Sequence, residues 1–75
     1  MRRNIGQLTA RELDVLSLAA QGLSDKQIAA RLGVARSTAS NCMGVILLKL
    51  HASNRAEAVA IAMRDGVIGL IRPAP

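Results

Sequence analysis

The 75-residue chain has no phenylalanine, tyrosine or tryptophan, only one cysteine, and only two prolines, which both lie at its end. Without aromatic rings, the core has to be built from Leu, Ile, Val, Met and thirteen alanines, a mixture that favours closely packed helices. Because Cys42 is the single cysteine, the chain can form no internal disulfide and no zinc site that needs several cysteines. No proline precedes Pro73, so none interrupts a helix before that residue.

The chain also lacks a long apolar run. Its longest, residues 58–63, is far shorter than the roughly 20 residues of a membrane span. The basic start, Met1 to Asn4, is not followed by the apolar stretch of a secretory signal. We therefore expect a cytoplasmic protein and not a membrane protein. Its length allows one domain with a small core and excludes an enzyme that encloses a large substrate.

Acidic residues are scarce, with five Asp and Glu against ten Lys and Arg, and the formal charge is +5. This excess points to a polyanionic partner, either nucleic acid or an anionic membrane surface. Charge alone does not choose between these two partners.

Three capping boxes predict where helices begin. Thr9, Ser24 and Asn54 are each followed three residues later by Glu or Gln, the pattern of a capped helix N-terminus. Glycines at positions 22, 33 and 66 predict where those helices end. A further helix is expected from Arg36 to His51, although Ala35 at its start cannot cap it. The sequence therefore predicts an all-α fold of four helices.

The second and third predicted helices are joined by only three residues, Gly33 to Ala35, which forces a sharp angle between them. This is the geometry of a helix-turn-helix. At 100° per residue, we expect one side of the unit to be buried and a small, polar side to face outward. The expected buried residues are Ile28, Leu32, Val34, Cys42, Ile46 and Leu50. The expected outward residues are Ser37, Ser40, Asn41 and Gly44.

A small polar helix face suits the major groove of duplex DNA. Asn41 is the best candidate for base reading, because one amide can bond both N6 and N7 of adenine. Ser40 can bond several bases, and Gly44 lets the backbone come close. The expected phosphate contacts are Lys26, Arg36, Ser37, Thr38 and Lys49. The alternative for this face is that it is merely solvated.

The fourth predicted helix is apolar around most of its circumference, so one neighbour cannot cover it. We expect residues 58, 61 and 62 to face the core of the domain. Val59 and Met63 are then left for a second subunit, or lie singly on the surface.

Catalysis and metal binding find little support in the sequence. Cys42 and His51, the one nucleophile–base pair, are nine residues apart on one helix, about 900°, and so point to opposite sides. One His and one Cys do not make a metal site, and the glycines are too widely spaced for a phosphate-binding loop. We expect no enzyme activity, metal or cofactor.

The sequence resembles the LuxR-type DNA-binding domain in two long segments, residues 8–16 (LTARELDVL) and 22–34 (GLSDKQIAARLGV). The resemblance continues at Thr38, Ile46, Lys49, Leu50, residues 54–59 and residues 66–68. The resemblance covers about residues 7–68. It implies a four-helix domain of bacterial transcription regulators, with the third helix in the major groove and the fourth at a homodimer contact. Residues 1–6 are then a basic N-terminal arm and residues 69–75 a C-terminal tail.

This sequence departs from the family pattern at Ala35, Ser40, Cys42 and Leu48, where the family usually has a capping Ser, a Lys, a His and a basic residue. We expect weaker phosphate attraction from the third helix. This loss supports an alternative function, a protein-interaction module that binds a partner regulator through Val45, Leu47, Leu48 and the fourth helix. The chain contains no receiver domain or ligand pocket, so it is either a small complete regulator or the DNA-binding part of a larger one.

Overall fold

The computed structural model describes residues 8–66 and Ile68. These residues form four α-helices: α1 (Ala10–Ala20), α2 (Asp25–Leu32), α3 (Arg36–Leu50) and α4 (Arg55–Arg64). No strand occurs in this part of the chain. The predicted all-α helix-turn-helix fold is therefore confirmed. The predicted arm, residues 1–6, and tail, residues 69–75, lie outside the described residues.

The first two predicted capping boxes are present in full. The Thr9 hydroxyl accepts a hydrogen bond from the Glu12 N–H (3.1 Å), and the Glu12 carboxylate accepts one from the Thr9 N–H (2.8 Å). Ser24 and Gln27 repeat both bonds at the start of α2, at 3.2 and 2.8 Å. Each box satisfies backbone donors that a helix N-terminus otherwise leaves unpaired.

The third predicted box is only half formed. Asn54 accepts from the Glu57 N–H (2.8 Å) and caps α4 as expected. The Glu57 carboxylate instead accepts from the N–H of Ser53 (3.0 Å), one residue before the cap. Glu57 thus fixes the loop that leads into α4.

The two ends of α3 differ from those of the other helices. Ala35 makes no side-chain capping bond, as expected, and the helix ends at Leu50, one residue earlier than predicted. His51 takes the left-handed conformation that stops the helix, with φ of 55°, where α2 uses Gly33 at 71°. The turn from α2 to α3 therefore has the glycine that the sharp bend requires.

The core lies where α3 crosses α1, α2 and α4. On α3 the buried residues are Ala39, Met43, Ile46 and Leu50. Cys42, which was predicted to belong to this set, is only half-buried and packs against the core from one side of the buried stripe. The predicted core residues Leu32 and Val34 are also half-buried and pack at the rim of the core. Ile28, Ile46 and Leu50 are buried as predicted.

One buried carboxylate links α1 to α3. Glu12 accepts a hydrogen bond from Lys49 Nζ at 2.7 Å, in addition to the bond from Thr9. Burial raises the pKa of Glu12, but the bonds from Lys49 and Thr9 outweigh it and hold that pKa below its ordinary value. A depressed carboxyl pKa stabilises the fold above the unfolded pKa, and this stabilisation is lost as pH falls through the folded pKa. Acid therefore weakens the α1–α3 contact.

Candidate nucleic-acid interface

The side of α3 opposite the core forms an exposed surface, which we call the outer face. It consists of Ser37, Asn41, Gly44, Val45 and Leu48, all of them exposed. Ser37, Asn41, Val45 and Leu48 follow one another at intervals of three or four residues, and Gly44 lies four residues before Leu48, so all five lie on one side of the helix. No Asp or Glu occurs anywhere in α3. The outer face is polar and uncharged at its N-terminal half, and it is apolar at its C-terminal half, where Val45 and Leu48 lie.

The two apolar members of the outer face are unusually accessible. Leu48 is 78% exposed and Val45 is 41% exposed. Each contributes methyl groups to a surface whose other three members are a serine, an asparagine and a glycine. The outer face can therefore offer apolar contacts as well as hydrogen bonds.

Ser40 lies at the edge of the outer face that borders α2. Its hydroxyl donates a hydrogen bond to Asp25 Oδ2 at 2.8 Å. Arg55, at the start of α4, donates to the other oxygen of the same carboxylate and to the backbone oxygen of Leu23, the latter at 3.1 Å. The hydrogen bond from Ser40, together with Arg55, lowers the pKa of Asp25 in spite of its burial. The cluster Asp25–Ser40–Arg55 therefore joins three helices around one ionised carboxylate.

Two of the predicted phosphate-binding cations are exposed at the N-termini of α2 and α3. Arg36 is exposed at the first position of α3, and Lys26 is exposed in the first turn of α2, next to Asp25. Thr38 is also exposed, at about 160° from Ser40 around the helix, and so borders the outer face on its other side. Arg36, Ser37 and Thr38 are therefore all exposed in the first turn of α3, and Lys26 is exposed in the first turn of α2.

Lys49 is placed differently. It is half-buried and pairs with Glu12 of α1. Lys49 therefore differs from Arg36 and Lys26, which are both exposed. This pairing depends on how α1 and α3 cross, which the local sequence around Lys49 does not specify.

Asp25 and Arg55 were missed by the sequence reasoning. Their ion pair joins residues that are 30 positions apart in the chain. One signal was present, because an arginine in the first turn of a helix is disfavoured by the helix dipole and so requires a nearby anion. Which carboxylate supplies that anion depends on how α2 and α4 pack.

The apolar residues of α4 differ in how deeply they are buried. Ala58, Ile61 and Ala62 are buried in the core, as predicted. Val59 and Met63 are half-buried and pack against the rim of that core. Val59 also lines an open depression between the end of α1 and the start of α4, whose other lining residues are Ala19, Ala20, Gly22, Asn54, Arg55 and Ala56.

The one cysteine and the one histidine lie apart. Cys42 is half-buried, and its burial together with the charge of Glu12 raises the pKa of the thiol, which disfavours the nucleophilic thiolate. His51 is exposed at the end of α3. Within residues 8–66, no three His, Cys, Asp or Glu side chains group as metal ligands. None of the described helices has both the length and the apolar character needed to cross a membrane.

Comparison with known proteins gives a consistent result. The sequence model of a protein family, the bacterial regulatory proteins of the luxR family, matches residues 6–62 of this chain. The chain is 45% identical over 67 residues to the transcriptional regulatory protein YdfI of Bacillus subtilis, and 46% identical over 59 residues to the response regulator RamR of Streptomyces coelicolor. These alignments cover 89% and 79% of this chain, but only 32% and 29% of the two relatives.

A solved structure shows the same fold. The response regulator ChrA of a haem-sensing two-component system superposes with a TM-score of 0.79 at 36% identity, covering 81% of this chain and 30% of ChrA. The chain thus spans about a third of the length of these proteins. The matched residues include all of α1, α2 and α3 and most of α4. The chain belongs to the luxR family of bacterial regulatory proteins and carries its helix-turn-helix DNA-binding domain.

Proposed function

We propose that this domain binds duplex DNA sequence-specifically as a transcription regulator, with α3 in the major groove. The outer face of α3 carries this proposal, because it is exposed, has no acidic residue, and is polar at the N-terminal half of the helix. In helix-turn-helix proteins, that half of the recognition helix contacts base edges. Arg36 and Lys26 are exposed cations at the starts of α3 and α2, and both are available for phosphate contacts.

Within this proposal each residue has a distinct role. Asn41 bonds the N6 and N7 edge of adenine, and Ser40 bonds a second base. Gly44 brings the backbone close to the groove. Lys26 and Arg36 contact phosphates as charges, while Ser37 and Thr38 contribute hydroxyl groups to the backbone. Lys49, being paired with Glu12, is left out of this set.

The salt dependence of binding tests the proposal. We expect the anisotropy of a dye-labelled random duplex to rise on addition of the protein, with an affinity that falls steeply as salt increases. Each charged phosphate contact contributes about −0.9 to the logarithmic slope, so Lys26 and Arg36 give about −2 for one domain and about −4 for two. A slope near zero would contradict DNA binding.

A second candidate is supported by the apolar part of the outer face. The exposure of Leu48 and Val45 fits a protein-interaction module that binds a partner regulator, here with α4 as a second contact. Such a module needs no phosphate contact. It therefore predicts almost no change in duplex anisotropy at any salt concentration, which separates it from the first proposal in the same titration.

Gly44 offers a test in which stability and binding move in opposite directions. A Cβ added at Gly44 meets no atom of the protein within 4 Å, so the fold itself does not require glycine there. We expect Gly44→Ala to raise the free energy of unfolding by about 1 kcal/mol, since alanine is the better helix former. We expect the same variant to bind DNA more weakly, because the new methyl group stands between α3 and the groove. Chemical denaturation and duplex titration measure the two effects, and unchanged DNA affinity would remove Gly44 from the interface.

We further propose that two copies bind together through α4, using Val59 and Met63, with each α3 in one half-site about 10 base pairs from the other. The support is that Val59 and Met63 are only half-covered by the rest of the domain, and that Val59 also lines an open, largely apolar depression. A symmetric contact of this kind buries the same residues on both copies.

A charge introduced on α4 tests the dimer. We expect Met63→Glu and Val59→Glu to give the monomer mass in light scattering, because each would bury a carboxylate without a partner. Ala30→Glu, an exposed position of α2, is the control for added charge and should leave the mass unchanged. Circular dichroism checks that every variant is folded. Unchanged mass for both α4 variants would contradict the proposed contact.

A further inference from the structure

The cluster Asp25–Ser40–Arg55 restricts what Ser40 can offer to a partner outside the protein. A serine hydroxyl has one proton to donate and lone pairs with which to accept. In this structure the Ser40 hydroxyl donates to Asp25 Oδ2 at 2.8 Å, while the residue itself remains exposed at the edge of the outer face. Its lone pairs are therefore the part left for an external hydrogen bond.

The proton of the Ser40 hydroxyl is held firmly in its hydrogen bond to Asp25. An ionised carboxylate accepts hydrogen bonds and donates none, so Asp25 cannot exchange roles with Ser40. Arg55 donates to the other carboxylate oxygen and to the Leu23 carbonyl, which fixes Asp25 independently of Ser40. Hydrogen bonds to a charged acceptor are about twice as strong as those between neutral groups. Turning the Ser40 hydroxyl toward DNA would give up such a bond.

We propose that Asp25 is a specificity-determining positioning residue, which makes Ser40 a pure hydrogen-bond acceptor and so directs it to a base that carries an amino group. This inference rests on the proposed DNA-binding function. In the major groove, cytosine N4 and adenine N6 are the amino donors, whereas guanine O6 and N7 and thymine O4 only accept. Ser40 thus selects cytosine or adenine and disfavours guanine and thymine at the base it faces.

Asp25 does not itself bond the base. It is half-buried, and both of its oxygens are engaged, one by Ser40 and one by Arg55. Arg55 also offsets the repulsion between this carboxylate and the DNA backbone. The carboxylate therefore acts on the DNA through the Ser40 hydroxyl.

The experiment compares base preferences of four proteins: the unaltered chain, Ser40→Ala, Asp25→Ala and the double variant. Binding sites are first selected from a library of randomised duplexes. Each position of the selected site is then replaced by the other three base pairs, and the relative affinities are measured by competition. Asp14→Ala, which removes an exposed carboxylate of α1, is the control for the change in net charge.

We expect one position at which the unaltered chain prefers cytosine or adenine over guanine or thymine by about three- to ten-fold, the range for one hydrogen bond. Ser40→Ala should abolish this preference, and Asp25→Ala should abolish it too by freeing the hydroxyl to donate. The double variant should resemble Ser40→Ala, and Asp14→Ala should resemble the unaltered chain.

Two results would overturn the inference while leaving the proposed function intact. One is a preference for guanine or thymine at the Ser40-dependent position, and the other is a folded Asp25→Ala variant with unaltered preferences at every position. If Asp25→Ala does not fold, the comparison of the unaltered chain with Ser40→Ala still decides, because Ser40→Ala leaves the Asp25–Arg55 pair in place. If the unaltered chain binds no duplex, both the proposed function and this inference fail.

Discussion

Replacing Leu50 by alanine is expected to lower the free energy of unfolding by about 2–5 kcal/mol. Leu50 is 0% exposed and lies at the end of the buried stripe of α3. Truncation there removes buried methyl groups and leaves a cavity that its neighbours fill only in part. Because the chain has no aromatic residue, unfolding in urea has to be followed by the helical signal in circular dichroism.

The same substitution two residues earlier is the control. Leu48 belongs to the same helix but is 78% exposed, so Leu48→Ala should change stability by no more than about 0.5 kcal/mol. The two variants delete the same atoms and differ only in burial. Equal losses of stability would show that α3 is not oriented with Leu50 inside and Leu48 outside.

Replacing Asn41 by alanine is expected to reduce the preference for adenine at one position of the site by about 1–3 kcal/mol, the value of a good two-bond contact. Asn41 is exposed at the centre of the outer face, where its amide can meet the edge of a base. Affinity for unrelated sequences should change little, because phosphate contacts supply most of that binding. Competition between duplexes that differ at single base pairs measures the effect.

Arg36→Ala is the matched counterpart on the same helix. An exposed cation at the first position of α3 is proposed to contact phosphate, which is the same in every sequence. We expect this variant to weaken binding to all duplexes alike and to reduce the steepness of the salt slope by about 0.9. If Asn41→Ala lowers affinity equally for every sequence, as Arg36→Ala should, Asn41 is not a base reader.

Much of the fold was predictable because its helix boundaries are encoded locally. Thr9 and Glu12, like Ser24 and Gln27, lie three residues apart, so the capping bonds depend on hardly anything beyond the segment itself. Gly33 likewise predicts the turn after α2, because glycine readily adopts the left-handed conformation that ends this helix. The α4 boundary was predicted equally well, although Glu57 bonds Ser53 in place of Asn54.

The buried side of α3 was predicted only in part, and the reason is geometric. Ile46 and Leu50 belong both to the expected stripe that includes Cys42 and to the observed stripe that includes Ala39 and Met43. The two stripes differ by a modest rotation of the helix. Helical periodicity cannot separate them when the deciding residues are an alanine, a cysteine and a methionine, all of which occur in cores.

The ion pairs could not be derived from the sequence. Lys49 and Glu12 are 37 positions apart, and Arg55 and Asp25 are 30 apart. Pairing over such distances is decided by how the helices cross, which local patterns do not specify. Lys49 was therefore expected among the phosphate contacts, and the role of Asp25 beside Ser40 emerged only from the packing of α2, α3 and α4.

The central claim is that the outer face of α3 is the surface that meets DNA. Its most direct test is a titration of isotope-labelled protein with a duplex, followed through the amide signals of every residue. We expect the largest shifts at Ser37, Asn41 and Gly44, and smaller ones at Arg36 and Lys26. Unshifted amides along the outer face, whether or not signals elsewhere move, would contradict it.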